Sequence, residues 1–173
     1  MEKNATDKKL YLLAELDDDS QLILKEFEKL ISENGIIGKQ TKDIPYHITL
    51  CPFSVEMEEY LKELLDELSR KFTKINVKCN SLGLFGLNVL FMNPDMNLGL
   101  IKLYNFVREK SIDNDHDLSA HITLLMDEPD NIMKVLPKIV ERNNGIAGKI
   151  SHISLYEFFP ARLIKRVELF TAG

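Results

Sequence analysis

The chain has 173 residues, 45% of them apolar and 28% charged, with 22 basic against 27 acidic side chains and a formal charge of -5. That length supports one substantial core, or two small lobes sharing a sheet, and argues against disorder. The acidic balance argues against broad, sequence-independent attraction to long nucleic acid, which relies on many Lys and Arg contacts to phosphate, but leaves room for a small phosphate ligand.

From Lys8 to Glu15 the composition is β-like, and Asp17, Asp18, Asp19 and Ser20 then offer an N-cap to a helix with Ile23, Phe27, Leu30 and Ile31 inward. Asn34 and Gly35 end it. After a polar loop with Gly38, Lys39 and Lys42, the run Tyr46-His47-Ile48-Thr49-Leu50-Cys51 reads as a strand stopped by Pro52. Ser54 caps the next helix, whose stripe of Met57, Leu61, Leu64, Leu65, Leu68 and Phe72 requires a 3.6-residue period. Residues 74 to 92 hold two apolar runs separated by Gly83 and Gly86, and near Asn97 a helix begins with Leu100, Leu103, Tyr104 and Val107 inward. A polar loop from Ser111 to Leu118 leads into a second strand, Ala120-His121-Ile122-Thr123-Leu124-Leu125. Past Pro129 a helix gathers Ile132, Val135, Leu136, Ile139 and Val140, closed by Gly145 and Gly148. Lys149 to Phe159 and Leu163 to Phe170 read as a hairpin around Pro160.

No apolar stretch is long and uncharged enough to span a bilayer, and Met1-Glu2-Lys3-Asn4 does not open a signal peptide, so a soluble, cytoplasmic, monomeric protein is expected. Cys51 and Cys79 lack the spacing of a zinc knuckle or redox pair and read as structural thiols.

The order strand, helix, polar loop, strand with His-Ile-Thr-Leu, helix, strand occurs twice, roughly over 8–83 and 84–170. That internal repeat predicts a single α+β domain of two lobes related by a pseudo-twofold, with antiparallel sheets lining a central groove and helices outside. Alternation along a strand puts His47 with Thr49, and His121 with Thr123, on one face, and the dyad turns the two pairs toward one groove. Imidazole ionises near neutrality, so one histidine can take a proton from a nucleophile while the other donates to the leaving oxygen, with no metal or other cofactor. The threonine hydroxyls can donate to the non-bridging oxygens of a phosphate.

His152-Ile153-Ser154-Leu155 fits the same loose pattern but follows the last helix of the second lobe; it is read as a surface strand, with His152, Ser154 and Tyr156 as groove-lining candidates. The cluster Arg162 to Arg166 reads equally as a holder of phosphate in a cleft and as a strand edge with protective charges. A zinc site using His116 and His121 beside Asp115 and Asp117 matches no common ligand spacing, and there is no Gly-rich phosphate loop.

The doubled motif, in Tyr46-His47-Ile48-Thr49-Leu50 and Ala120-His121-Ile122-Thr123-Leu124, resembles that of the two-histidine (2H) phosphoesterase superfamily, most closely its 2'-5' RNA ligase and RNA 2',3'-cyclic phosphodiesterase branch. The resemblance spans nearly the whole chain through the order of flanking elements and the terminal Leu155-Tyr156-Glu157, and is loose outside the motifs. It implies a bilobal fold and metal-free opening of 2',3'-cyclic phosphates to 2'-phosphates, with 2'-5' joining of RNA ends in some members. His47 and His121 would inherit the catalytic roles, and Thr49 and Thr123 the phosphate. Where many relatives carry a glycine after the first motif, a proline before the second histidine and a basic residue soon after that motif, this chain has Cys51-Pro52-Phe53, Ser119-Ala120 and Leu125-Met126. The substrate is therefore open between a small cyclic phosphate and an RNA terminus, with base stacking by Tyr46, Phe85, Tyr156 or Phe158 and a contribution from Arg162. A non-catalytic module that binds nucleotides or RNA ends in the same groove is the alternative from another class.

Overall fold

The computed structural model describes residues 8–111 and 118–172. Along them run β1 (Lys9–Leu16), α1 (Asp18–Glu33), β2 (His47–Ser54), α2 (Glu58–Lys71), β3 (Ile75–Phe85), β4 (Val89–Pro94), α3 (Leu98–Arg108), β5 (Ile122–Met126), α4 (Pro129–Arg142), β6 (Ile146–Phe158) and β7 (Arg162–Glu168). None of the helices among the described residues is long and apolar enough to cross a membrane.

The strands form one antiparallel sheet in the order β2-β1-β6-β3-β4-β5, with β7 on the flank of β6. β1 lies between β2 and β6, and β4 lies between β5 and β3. β3 and β6 pair with each other over 75–79 and 146–150, and beyond that stretch each strand runs on beside the opposite half of the chain, β3 along β4 and β6 along β1. The two strands at the ends of the path, β2 and β5, come into contact, so the sheet curls until its edges meet.

The helices cover one face. Leu10, Leu12 and Ala14 of β1 are fully buried there, in one core with Leu24, Phe27 and Ile31 of α1, an i, i+3, i+7 stripe. Ile23, expected inward, is 42% exposed because it stands about 100° around the helix from Leu24. The same geometry leaves Val140 of α4 exposed while Ile132, Val135 and Ile139 are buried. On α2, Leu61, Leu64, Leu65 and Leu68 are buried, each stabilising the fold by roughly 1.5–3 kcal/mol through area removed from water.

α1 is anchored at its start. Asp17 Oδ1 accepts from the Ser20 amide and Asp17 Oδ2 from the Lys149 amide, so one side chain caps the helix and ties it to β6. Gly83 is not the strand boundary that its composition suggests; it lies inside β3, and the hairpin turns at Gly86, whose φ is 54°.

Candidate active site

His47 opens β2, and its approach is clamped from α1. The Gln21 amide nitrogen donates to the carbonyl of Tyr46 at 2.8 Å, and the Gln21 carbonyl oxygen accepts from the Tyr46 amide at 2.8 Å. One side chain thus satisfies both backbone groups beside the histidine. His47 Nδ1 lies 2.7 Å from the Pro45 carbonyl, which can only accept, so Nδ1 carries the proton and Nε2 is left for chemistry.

His121 repeats this bond, with Nδ1 2.6 Å from the Ser119 carbonyl, again two residues back. It stands one residue ahead of β5 rather than inside it, so its ring is fixed by that bond and by aromatic packing. The Phe85 and Phe91 rings lie 4.8 and 5.4 Å from it, and they stack on each other at 4.2 Å. Gly83 makes this possible: a Cβ there would meet the Phe91 ring at 2.5 Å.

The motif strands share an irregularity. Thr49 pairs with Leu13 and Cys51 with Leu12, leaving Leu50 as a bulge; Thr123 pairs with Phe91 and Leu125 with Leu90, leaving Leu124 as a bulge. Ile48, Leu50, Ile122 and Leu124 are buried against the helices, while His47, Thr49, His121 and Thr123 are half-buried on the other face. His47, Thr49 and Thr123 line a cavity of about 880 Å³ on that face. Burial holds the His47 imidazole below its ordinary value; its bond to Pro45 and the charge of Glu15 pull it upward, and the charge of His121 adds to the depression. The charge of His121 therefore reaches the His47 ring.

Of the other sequence candidates, Tyr46 lines the cavity, its hydroxyl 3.4 Å from Glu28, with burial keeping the phenol protonated. His152, Ser154 and Tyr156 lie on the His47 face of the sheet, since β1 residues Glu15, Leu13 and Tyr11 pair with them and Glu15 also pairs with His47. Ser154 is completely buried, and Tyr156 is buried and stacked on Phe158, itself a wall of the cavity. Phe85 packs against His121 and Phe91 and stays 40% exposed.

Arg162 does not line the groove. It points to the helix side, where it bonds Glu157 and Glu58. The cause is a bulge: Leu155 pairs with Lys165 but Tyr156 with Leu163, so Ile164 is skipped and the alternation of β7 reverses. Arg166 takes the groove position, with Nε donating to Glu15 Oε2 at 2.7 Å. Arg166 was read from sequence only as the end of a basic cluster, and Glu15 and Gln21 were not singled out; the one signal for Glu15 was a lone acid in the apolar run of β1, since an unpaired acid is rarely buried.

Among the described residues no three His, Cys, Asp or Glu side chains gather as metal ligands. His116, Asp115 and Asp117, weighed as zinc ligands, lie outside the described residues. Cys51 and Cys79 are buried free thiols whose burial pushes both up to about 11.

A curled antiparallel sheet whose two edge strands each carry His-x-Thr, with His47, Thr49 and Thr123 lining one cavity, has the two-histidine phosphoesterase fold. Among solved structures it matches E. coli LigT in complex with NADP+, with 18% identity, a TM-score of 0.59, and 94% of this chain and 98% of that one covered. It also matches TT0787 of Thermus thermophilus, with 15% identity, a TM-score of 0.65 and coverage of 95% and 100%. A third match is a phosphoesterase at 19% identity, a TM-score of 0.56 and coverage of 95% and 99%. No family model and no curated sequence matches the chain.

Proposed function

We propose that this chain opens 2',3'-cyclic phosphates to 2'-phosphates by acid–base catalysis between His47 and His121, without a metal ion, and that with a 5' hydroxyl in place of water it reversibly joins RNA ends through 2'-5' links. The observation that carries this reading is the matched state of the two imidazoles. Each gives its Nδ1 proton to the carbonyl two residues behind, which keeps Nε2 as the working atom on both sides of the groove. One neutral Nε2 takes a proton from water as the water oxygen bonds to phosphorus. The bond from phosphorus to the 3' oxygen breaks, and that oxygen receives a proton from the other, protonated ring. Thr49 and Thr123 donate to the non-bridging oxygens, where charge builds up. In joining, a 5' hydroxyl replaces water and the histidines keep these roles; they exchange them in the reverse step, when the 3' hydroxyl attacks and the 5' oxygen leaves.

E. coli LigT, which shares the fold, has been crystallised with NADP+, ATP, 3'-AMP and phosphate. Binding of nucleotides and phosphate in the present groove is the corresponding element of the proposal.

The test is phosphorus NMR on chelator-treated protein offered 2',3'-cyclic nucleotides and RNA ending in a cyclic phosphate. Release of 2'-phosphates at a rate indifferent to chelator is the expected result. Tight binding without product would make the groove a sensor and overturn the catalytic reading; 3'-phosphate products would overturn the regiochemistry.

A further inference from the structure

The cavity that holds His47 and Thr49 extends to a polar pair that the proposed chemistry does not use. Arg166 reaches from β7 over β6 to β1, where its Nε engages Glu15 Oε2. Glu15 is 1% exposed, and its second oxygen, Oε1, is buried with no hydrogen-bond partner among the described residues. A carboxylate held so deep is costly to the fold unless its charge is compensated, and an unsatisfied buried oxygen adds to that cost. Arg166 supplies the compensating charge, so the pair is a built feature of the groove floor.

Its geometry is directional. The guanidinium spends its Nε on Glu15, its two terminal amino groups make no hydrogen bond to any described residue, and Arg166 lines the cavity. A fork held from behind in this way is prepared to take an oxyanion with two parallel N–H donors. Glu15 also pairs directly across the sheet with His47, which puts the two side chains roughly 5 Å apart at Cβ. The fork is therefore beside the catalytic face, on the side away from β5, displaced toward the Phe158 end of the cavity.

Resting on the proposed reaction, we infer that Arg166 is a second oxyanion site, and that the preferred substrate carries a phosphate on its 5' oxygen as well as the cyclic phosphate between the histidines. An RNA end and a 5'-phosphorylated cyclic nucleotide both have this chemistry; a 5'-hydroxyl cyclic nucleotide does not. Arg166 is then a determinant of specificity, with Glu15 its positioning residue.

Binding of product-like ligands reads this site without needing turnover. By calorimetry, the wild-type protein is expected to bind adenosine 2',5'-bisphosphate roughly 10–100-fold more tightly than adenosine 2'-phosphate, the usual range for charge-assisted bonds. Arg166→Ala should bring the ratio to near one, and Arg166→Lys, a charge without a fork, should give a value in between. A wild-type ratio near one, binding of neither ligand, or a ratio that survives Arg166→Ala would overturn the inference. If the alanine variant does not fold, the wild-type ratio and the lysine variant decide. Turnover distinguishes the two proposals: a strong bisphosphate preference without turnover rejects the phosphodiesterase reading and keeps the anion site, whereas turnover without the preference does the reverse. Comparing kcat/KM for a dinucleotide ending in a cyclic phosphate with that for the 5'-phosphorylated cyclic mononucleotide then separates an RNA end from a free nucleotide as the source.

Discussion

His47 and His121 carry the same tetrapeptide, the same bulge after the threonine and the same bond from Nδ1 to a carbonyl two residues back, yet their surroundings differ. His47 sits on a strand clamped by an amide from α1 and beside a buried carboxylate; His121 precedes its strand and is wedged by two phenylalanines. The carbonyls that engage Nδ1 and leave Nε2 open are duplicated, while the supports that hold each ring are not. A repeat can thus keep one chemistry and still give its two halves unequal electrostatics.

The sharpest way to break the comparison is to remove each ring. His47→Ala and His121→Ala should each lower kcat on a cyclic phosphate by about 10²–10⁴-fold, and the double variant should cost little more, because acid and base act as a unit. If one alanine variant keeps full activity, the halves are not partners. Thr49→Ala and Thr123→Ala come next, with an expected fall of roughly 10–10³-fold in kcat and a smaller change in KM, measured at saturating substrate. Equal losses would show that the dyad extends to the phosphate oxygens.

The supports should respond separately. Gly83→Ala drives a methyl into Phe91 and should displace His121, lowering kcat by about 10-fold while leaving the His47 ring signals in place. Gln21→Ala should disturb the His47 signals and lower activity by several-fold, with His121 unmoved. NMR assignment of both rings reads each result.

Titration gives the smallest effect. The His47 midpoint should fall below the ordinary value of about 6.5, because burial outweighs the upward pulls, and Glu15→Gln should lower it further by removing one of them. A group depressed in the folded state contributes stability that is present above its unfolded value and lost as pH drops through the folded one. His47 should accordingly favour unfolding on mild acidification, and His47→Gln should flatten that region of the stability profile.

Much of this was legible in the residues. The period of α2 and the apolar alternation around both tetrapeptides carry the helix and strand assignments, and the repeated order of elements points to two His-x-Thr strands facing one groove. What alternation could not show was where it fails. The bulge at Ile164 exchanges Arg162 for Arg166, and nothing in Arg-Leu-Ile-Lys-Arg marks the skipped residue. Gly83 reads as a turn although its small size serves Phe91, a contact visible only once β3 and β4 are paired. Glu15 was hidden by ordinariness, since an acid near a strand end is common and only its cross-strand neighbours make it unusual.

The exchange of β3 and β6 has a consequence for how the molecule can be cut. A break in the hairpin at Gly86 would yield two fragments, each short of the final strand its own half of the sheet needs and each holding the one its counterpart lacks. Neither piece should be stable alone, but mixed together they are expected to associate and restore the whole sheet. The peptide link at that turn would then serve to set the local concentration of two interlocking pieces, a role that noncovalent complementation can replace.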